Sequence, residues 1–368
     1  MHTLSRFSAA TACLLSFTCL AQAQTSNWTQ TGSGTYNWSD AANWSNGVPN
    51  ANNATAVFSN AGADASKTVT VAGTITVQQL LINATQANPL TISGGTIRVR
   101  NVGGGGGSLS PIVVGSYTTP VTHTISSTID LDGSSGIRVF SAGTNATLNL
   151  AGQLINSASN ATYVVAGGGT TVLSGNNAGF NSTLQTTGAG TTLTVNGTVG
   201  SPVTVGNGTT LNGTGTINGP VTVNDGTVGG NLTVSSLSLS GATNYTSLVG
   251  GTPASPVNQK VTINGALIAQ PGTTLNFNLV DDGTLVPGGT YTITLLDAAS
   301  ISGLTAGQVN ATATNFGFSG TPLATIDSTN GNVNLTFTVV PEPATVLGIG
   351  AASLGALGLV RRRRAARA

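Results

Sequence analysis

Few side chains of this sequence can do chemistry. Asp130 and Asp132 lie two residues apart, which puts both carboxylates on one face of a strand, with Arg138 close behind. Glycoside hydrolysis needs two such carboxylates. The alternative is a solvated pair at a coil edge, balanced by Arg138 or Arg98. Asp130-Leu131-Asp132-Gly133 lacks the further ligands and terminal Glu of a helix-loop-helix calcium site, so Asp130 and Asp132 are weak metal candidates. Asp281 and Asp282 are adjacent and stand before Gly283, as a turn would have them. Beyond the N-terminal segment one histidine, His123, remains, too few soft ligands for zinc. There is no Gly-x-Ser-x-Gly elbow, and Gly103–Gly107 lacks the Gly-Lys-Ser/Thr of a phosphate cradle. No catalytic residue, cofactor or committed metal site is expected.

Three tryptophans, Trp28, Trp38 and Trp44, crowd one short stretch with Tyr36 and Phe58 nearby. Aromatics here suit a plug over the open end of a β-stack, where unpaired strand edges invite aggregation. The sharper alternative is a flat stacking platform for sugar rings.

The elements that must position these residues are strands. Thr and Val favour strands, Gly and Asn favour turns, and Glu, Lys and Met are nearly absent from the body. Apolar residues recur every six positions at Leu193, Val199, Val205, Leu211, Ile217 and Val223, and five of these hexads end in Thr. Thr191–Gly208 and Thr209–Gly226 match at ten of eighteen positions. Three hexads therefore wind one triangular coil, each aliphatic residue stacking on its copy about 4.8 Å away in the next. Asn-Gly pairs at 196–197, 207–208, 212–213 and 218–219 supply the corners. The expected fold is all-β: a parallel β-helix or β-solenoid with a C-terminal β region. Domains follow as an aromatic cap at 24–60, a solenoid at 61–239, and 240–340 as either last coils or a sandwich cap. Asp281-Asp282-Gly283 and Pro287-Gly288-Gly289 there look like hairpin turns.

The two ends carry addresses. His2 and Arg6, the apolar run Ala9–Leu20 and the small-x-small triplet Ala21-Gln22-Ala23 form a secretion signal over 1–23, cleaved after Ala23 by signal peptidase once the Sec translocon has engaged it. Both cysteines, Cys13 and Cys19, leave with it, so the mature chain has no disulfide. At the other end, over 341–368, Pro341-Glu342-Pro343 precedes a 17-residue apolar segment, 344–360, and then Arg361, Arg362, Arg363 and Arg364. That segment is long enough for a single transmembrane helix, with the arginines on the cytoplasmic side. Between the ends, 24–340 holds five bases and nine acids, a net of 5 − 9 = −4. With no basic patch on the body, nucleic acid is not an expected partner.

The tail closely resembles the PEP-CTERM sorting signal of exosortase substrates in Gram-negative bacteria that make exopolysaccharide. The resemblance implies recognition and removal by an exosortase-type membrane protease, transient anchoring by the C-terminal helix, and a final place at the cell surface or outside it. Thr191–Leu239, with Leu211-Asn-Gly-Thr-Gly-Thr-Ile217, resembles the autotransporter-associated β-strand repeats of bacterial passenger domains, and Val261–Leu296 is similar to the module that follows them. That likeness implies a right-handed helix, although no outer-membrane barrel follows residue 340. The expected role is a non-enzymatic surface or matrix protein associated with exopolysaccharide, its Thr, Ser and Asn ladders facing glycans. The alternative is a polysaccharide-acting enzyme. β-Helical lyases place acidic residues on Ca²⁺ beside a base, and Asp130, Asp132 and Arg138 would then converge in a groove.

Overall fold

The computed structural model describes residues 24–59, 66–83, 88–101, 109–133, 137–156 and 161–340. The expected signal with Ala21 and Ala23, the run Gly103–Gly107, and the tail with Pro341, Glu342, Pro343 and Arg361 to Arg364 lie outside them. So does the expected membrane helix at 344–360; among the described residues no helix is long and apolar enough to cross a membrane.

Among the described residues the regular elements are all strands, apart from two short 3-10 turns at Ala41–Asn43 and Ala306–Gln308. The strands form three sheets of nineteen, thirteen and four strands. One coil contributes one strand to each side of a triangle. Val121–Ile125 lies in the thirteen-stranded sheet, Thr128–Gly133 in the four-stranded sheet and Ile137–Ala142 in the nineteen-stranded sheet. The next coil repeats the order in parallel register. In the repeat region Leu193 pairs with Leu211, Thr198 with Thr216 and Val203 with Val221, each eighteen residues on.

Alternation drives this winding. Along each strand every second side chain turns inward, and the inward ones stack from coil to coil. A single column runs Ser26, Ala56, Leu80, Ile112, Phe140, Val165, Thr186, Val205, Val223, Leu239 and Ala269. All eleven are buried. The six hexad residues Leu193 to Val223 are each fully shielded from solvent. Burying one such side chain stabilises the fold by about 1.5–3 kcal/mol. No coil can achieve that alone, so the stack is the folding unit.

Corners need backbone that side chains would obstruct. Gly213 takes a φ of +130°, and a Cβ there would meet the Val195 carbonyl oxygen at 2.0 Å. Gly197 has an ordinary φ, yet a Cβ would lie 2.1 Å from the Gly175 oxygen. The Asn-Gly corners thus serve two purposes, left-handed turning and close coil-to-coil approach.

Residues 240–340 continue the coil before closing it. Ala242–Thr252 and Thr274–Asp281 pair in parallel over eight positions, and Val309–Thr314 adds in parallel beyond them. The stack then ends in antiparallel pairing: Asn332–Val340 lies against Thr290–Ser302, Leu323–Asp327 and Gly317–Phe318. Neither Asp281-Asp282-Gly283 nor Pro287-Gly288-Gly289 makes the expected hairpin turn. Thr274–Asp281 belongs to the thirteen-stranded sheet and Thr290–Ser302 to the nineteen-stranded one, so the segment turns a corner between sheets. Turn chemistry is the same for both; only the sheet partners differ.

Candidate functional sites

The tryptophan cluster sits at the N-terminal end of the stack and faces inward. Trp28, Trp38 and Trp44 are 2, 0 and 4% exposed. Their rings pack edge to face, Trp28 on Trp44 at 5.0 Å and 88°, and Phe58 fills the space between them at 5.3–5.8 Å. The Trp44 indole N–H donates to the Trp38 carbonyl at 2.8 Å, and the Trp38 indole N–H to the Pro49 carbonyl at 3.2 Å. Asp40 holds the intervening turn by accepting the Ala42 N–H. The glycan-stacking alternative for Trp28, Trp38 and Trp44 is therefore corrected: no ring presents a face to solvent. The spacing allowed a platform, but large aromatic area is worth more buried against other rings than exposed.

The carboxylates share one parity on a strand of the four-stranded sheet, as their spacing requires, with Asp132 partly exposed and Asp130 buried. The partners come from the preceding coil. Thr96–Asn101 pairs with Thr128–Gly133 so that Arg98 faces Asp130 and Arg100 faces Asp132. Arg98 Nε donates to Asp130 Oδ2 at 2.8 Å and lies 3.9 Å from Asp132; Arg100 Nε lies 3.7 Å from Asp132. The hydrogen bond and charge of Asp130 hold the Arg98 guanidinium above its usual value. Arg138 takes the inward parity of Phe140 and Ala142, is itself buried, and pairs in register with Tyr163. Burial pushes the Tyr163 phenol up to about 12, with the Arg138 charge pulling the other way. Asp130 also acts on that phenol, raising it, so Asp130 and Arg138 lie near the same buried ring, and both are themselves buried away from solvent. Asp130 and Asp132 are engaged along a charged ladder, and Arg138 lies on the next side of the triangle.

His123 is a core residue. It stands in the inward column above Leu148, 1% exposed. The Leu90 backbone N–H donates to Nδ1 at 3.2 Å, so Nδ1 carries the lone pair and Nε2 the proton, which goes to Tyr117 Oη at 2.9 Å. Desolvation lowers the imidazole to about 4. Asp281 and Asp282 act as turn residues: Asp281 accepts the Gly283 N–H, and Asp282 the Thr284 N–H and hydroxyl.

The feature that composition hints at, and that register defines, is the outer face of the thirteen-stranded sheet. Thr122, Thr147, Thr170, Thr192, Thr210 and Thr227 stack in one column, which Asn244, Asn276 and Asn310 extend. The asparagines form an amide ladder, Asn310 donating to Asn276 at 3.0 Å and Asn276 to Asn244 at 3.3 Å. A second column beside it holds Thr68, Thr91, Thr124, Asn149, Val172, Thr194 and Asn212. The face is polar and uncharged. Among the described residues no group of three or more His, Cys, Asp or Glu could hold a metal ion.

No curated protein matches this chain. Residues 339–364 match the family model described as the PEP-CTERM protein-sorting motif, which begins at the last two residues of the final strand, Asn332–Val340, and implies exosortase-dependent export to the cell surface or extracellular space.

Proposed function

We propose that this protein is a non-enzymatic structural or adhesion component of the bacterial surface, a β-solenoid rod associated with exopolysaccharide. The Sec translocon carries it across the inner membrane, signal peptidase cuts after Ala23, and the segment 344–360 anchors it until an exosortase-type protease removes the tail. The single observation that carries this reading is the sorting motif at 339–364, joined without a linker domain to the closing strand of a folded body. A non-enzymatic role is supported by the engagement of the carboxylates by arginines and of His123 by core partners. We read Thr191–Leu239 as a passenger-type repeat, on its eighteen-residue register and Asn-Gly corners.

Mass spectrometry of the protein recovered from its own cell tests this. The expected product begins at Gln24 and ends near Pro341. An intact chain retaining residues 1–23 and 341–368 in the cytosol would overturn the reading.

A further inference from the structure

One place on the threonine face is more than flat. Where Thr210–Gly213, Thr227–Gly229 and Ala242–Thr252 lie side by side, a groove of about 520 Å³ opens on the outer surface, within the range of ligand sites. Its floor is low because Gly229 stands in register beneath Thr246 and contributes no side chain. No side chain can be added there either, since a Cβ on Gly229 would meet the Thr246 carbonyl oxygen at 2.5 Å. The hydroxyls of Thr210, Thr227 and Thr246 and the amides of Asn212 and Gln259 line it.

Gln259 makes one wall, and it is held. It follows the hairpin strand Ser255–Asn258, its backbone N–H donates to the Leu248 carbonyl at 2.9 Å, and its own carbonyl accepts the Ser247 hydroxyl at 2.8 Å. Its side-chain oxygen accepts the Leu248 N–H at 3.2 Å, which leaves the amide NH₂ to donate. Asn212 is likewise fixed, its Oδ1 accepting the Thr194 hydroxyl at 2.7 Å.

The lining dictates the ligand chemistry. No charged residue and no aromatic ring lines the groove, so neither an anion nor an apolar molecule finds its counterpart. Hydroxyls and amides offer both donors and acceptors, the complement of a polyhydroxylated chain. The donors repeat at the strand spacing of about 4.8 Å along the coil axis. In an extended, equatorially linked chain one pyranose advances by close to that distance, so successive sugars of such a chain meet successive rungs.

We propose that this groove binds an uncharged polysaccharide laid along the coil axis, one sugar per rung across the Thr210, Thr227 and Asn244 strands. The proposal rests on the surface reading above, which puts such chains within reach, and it names the part of the body that holds them.

The test uses protein recovered from cells expressing the full chain. Binding is measured to neutral β-glucan and mannan oligosaccharides and, in parallel, to a polyuronate of similar length, at low and high salt. The expected result is binding of a neutral chain that salt does not change. Replacing Thr210, Thr227 and Thr246 together by Val keeps branched strand residues but removes three hydroxyls. It should weaken binding at least tenfold, about the effect of one lost hydrogen bond. Thr227→Trp, which fills the groove, should abolish binding, while Thr122→Val with Thr147→Val on the same face should leave it unchanged. Circular dichroism identifies any variant that fails to fold, and the Trp and triple-Val variants serve as checks on each other. Preference for the polyuronate, strong salt dependence, absence of neutral-chain binding, or equal loss in the Thr122/Thr147 control each overturns the proposal. These outcomes are independent of the export reading: a protein trimmed at both ends and displayed outside the cell that ignores neutral glycans sinks the groove alone.

Discussion

At the scale of single residues, the polar groups inside the coil set the most direct tests. Thr171 points inward between Leu148 and Leu193, fully buried, and its hydroxyl has no hydrogen-bond partner. A buried, unpaired hydroxyl costs about 1–3 kcal/mol. Thr171→Val keeps the shape and removes the cost, so it should raise the unfolding free energy by about 1 kcal/mol. Denaturant unfolding at equal slope would show it, and a loss of stability would mean that the hydroxyl is satisfied. His123 provides the pH test. Its folded value, about 4, lies below the ordinary 6.5, so the unfolded chain takes up the proton first. The contribution is therefore complete above pH 6.5 and is lost as pH falls towards 4, to a total of about 3 kcal/mol. Unfolding titrations at pH 7 and 4.5 should show this slope in the natural protein and a shallower one in His123→Leu. Equal slopes would place the titration elsewhere.

At the scale of elements, alternation assigns opposite fates to neighbours. Leu211 is fully buried between Leu193 and Val228, whereas Thr210, one residue before it, faces out between Thr192 and Thr227. Leu211→Ala should cost about 2–5 kcal/mol through lost transfer energy and the cavity left behind. Thr210→Val should stay within about 0.5 kcal/mol, as a surface change that keeps a branched strand residue. Comparable losses from both would contradict the inward column. The ion pairs follow the same geometry. Arg98 and Arg100 meet Asp130 and Asp132 because two strands from successive coils run parallel in register, not because the residues are near in sequence. Lys260, just before the strand Val261–Ala269, meets Asp297 of the adjacent strand at 2.8 Å across a diagonal, and nothing local to either residue announces it.

At the scale of the molecule, the stack is closed differently at its two ends. Buried tryptophans pack the first coil, while antiparallel pairing by Asn332–Val340 finishes the nineteen-stranded sheet at the last and Val309–Thr314 forms the edge of the thirteen-stranded one. The sorting motif overlaps only the last two residues of that closing strand, Val339 and Val340. Folding and address therefore use almost separate parts of the chain, and proteolysis after Val340 would leave the described strands whole. The mass measurement proposed above reads this scale, because it reports on both ends of one molecule.

The sequence by itself determined the strand class, the inward column at Leu193 to Val223, the corners and the sorting tail. Each of these rests on local signals: alternation, short-period repetition, turn chemistry, and a contiguous motif. It showed the period only around 191–226, and the register explains why. Successive rungs there are 18 and 17 residues apart, as in Thr192, Thr210 and Thr227, but 25 and 23 apart for Thr122, Thr147 and Thr170. Loops of unequal length lie between rungs that still stack, and they erase the repeat from the sequence without disturbing the coil. Only the tertiary structure decided what lies opposite what: that the tryptophans are buried, that His123 is a core residue, that the aspartates have arginine partners, and that Thr171 rather than Val172 turns inward. Shifting that strand by one residue would bury Val172 but expose Leu173, which stacks between Leu150 and Val195. Register is a property of pairs of coils, and the energy that fixes it comes from the whole column rather than from any one residue.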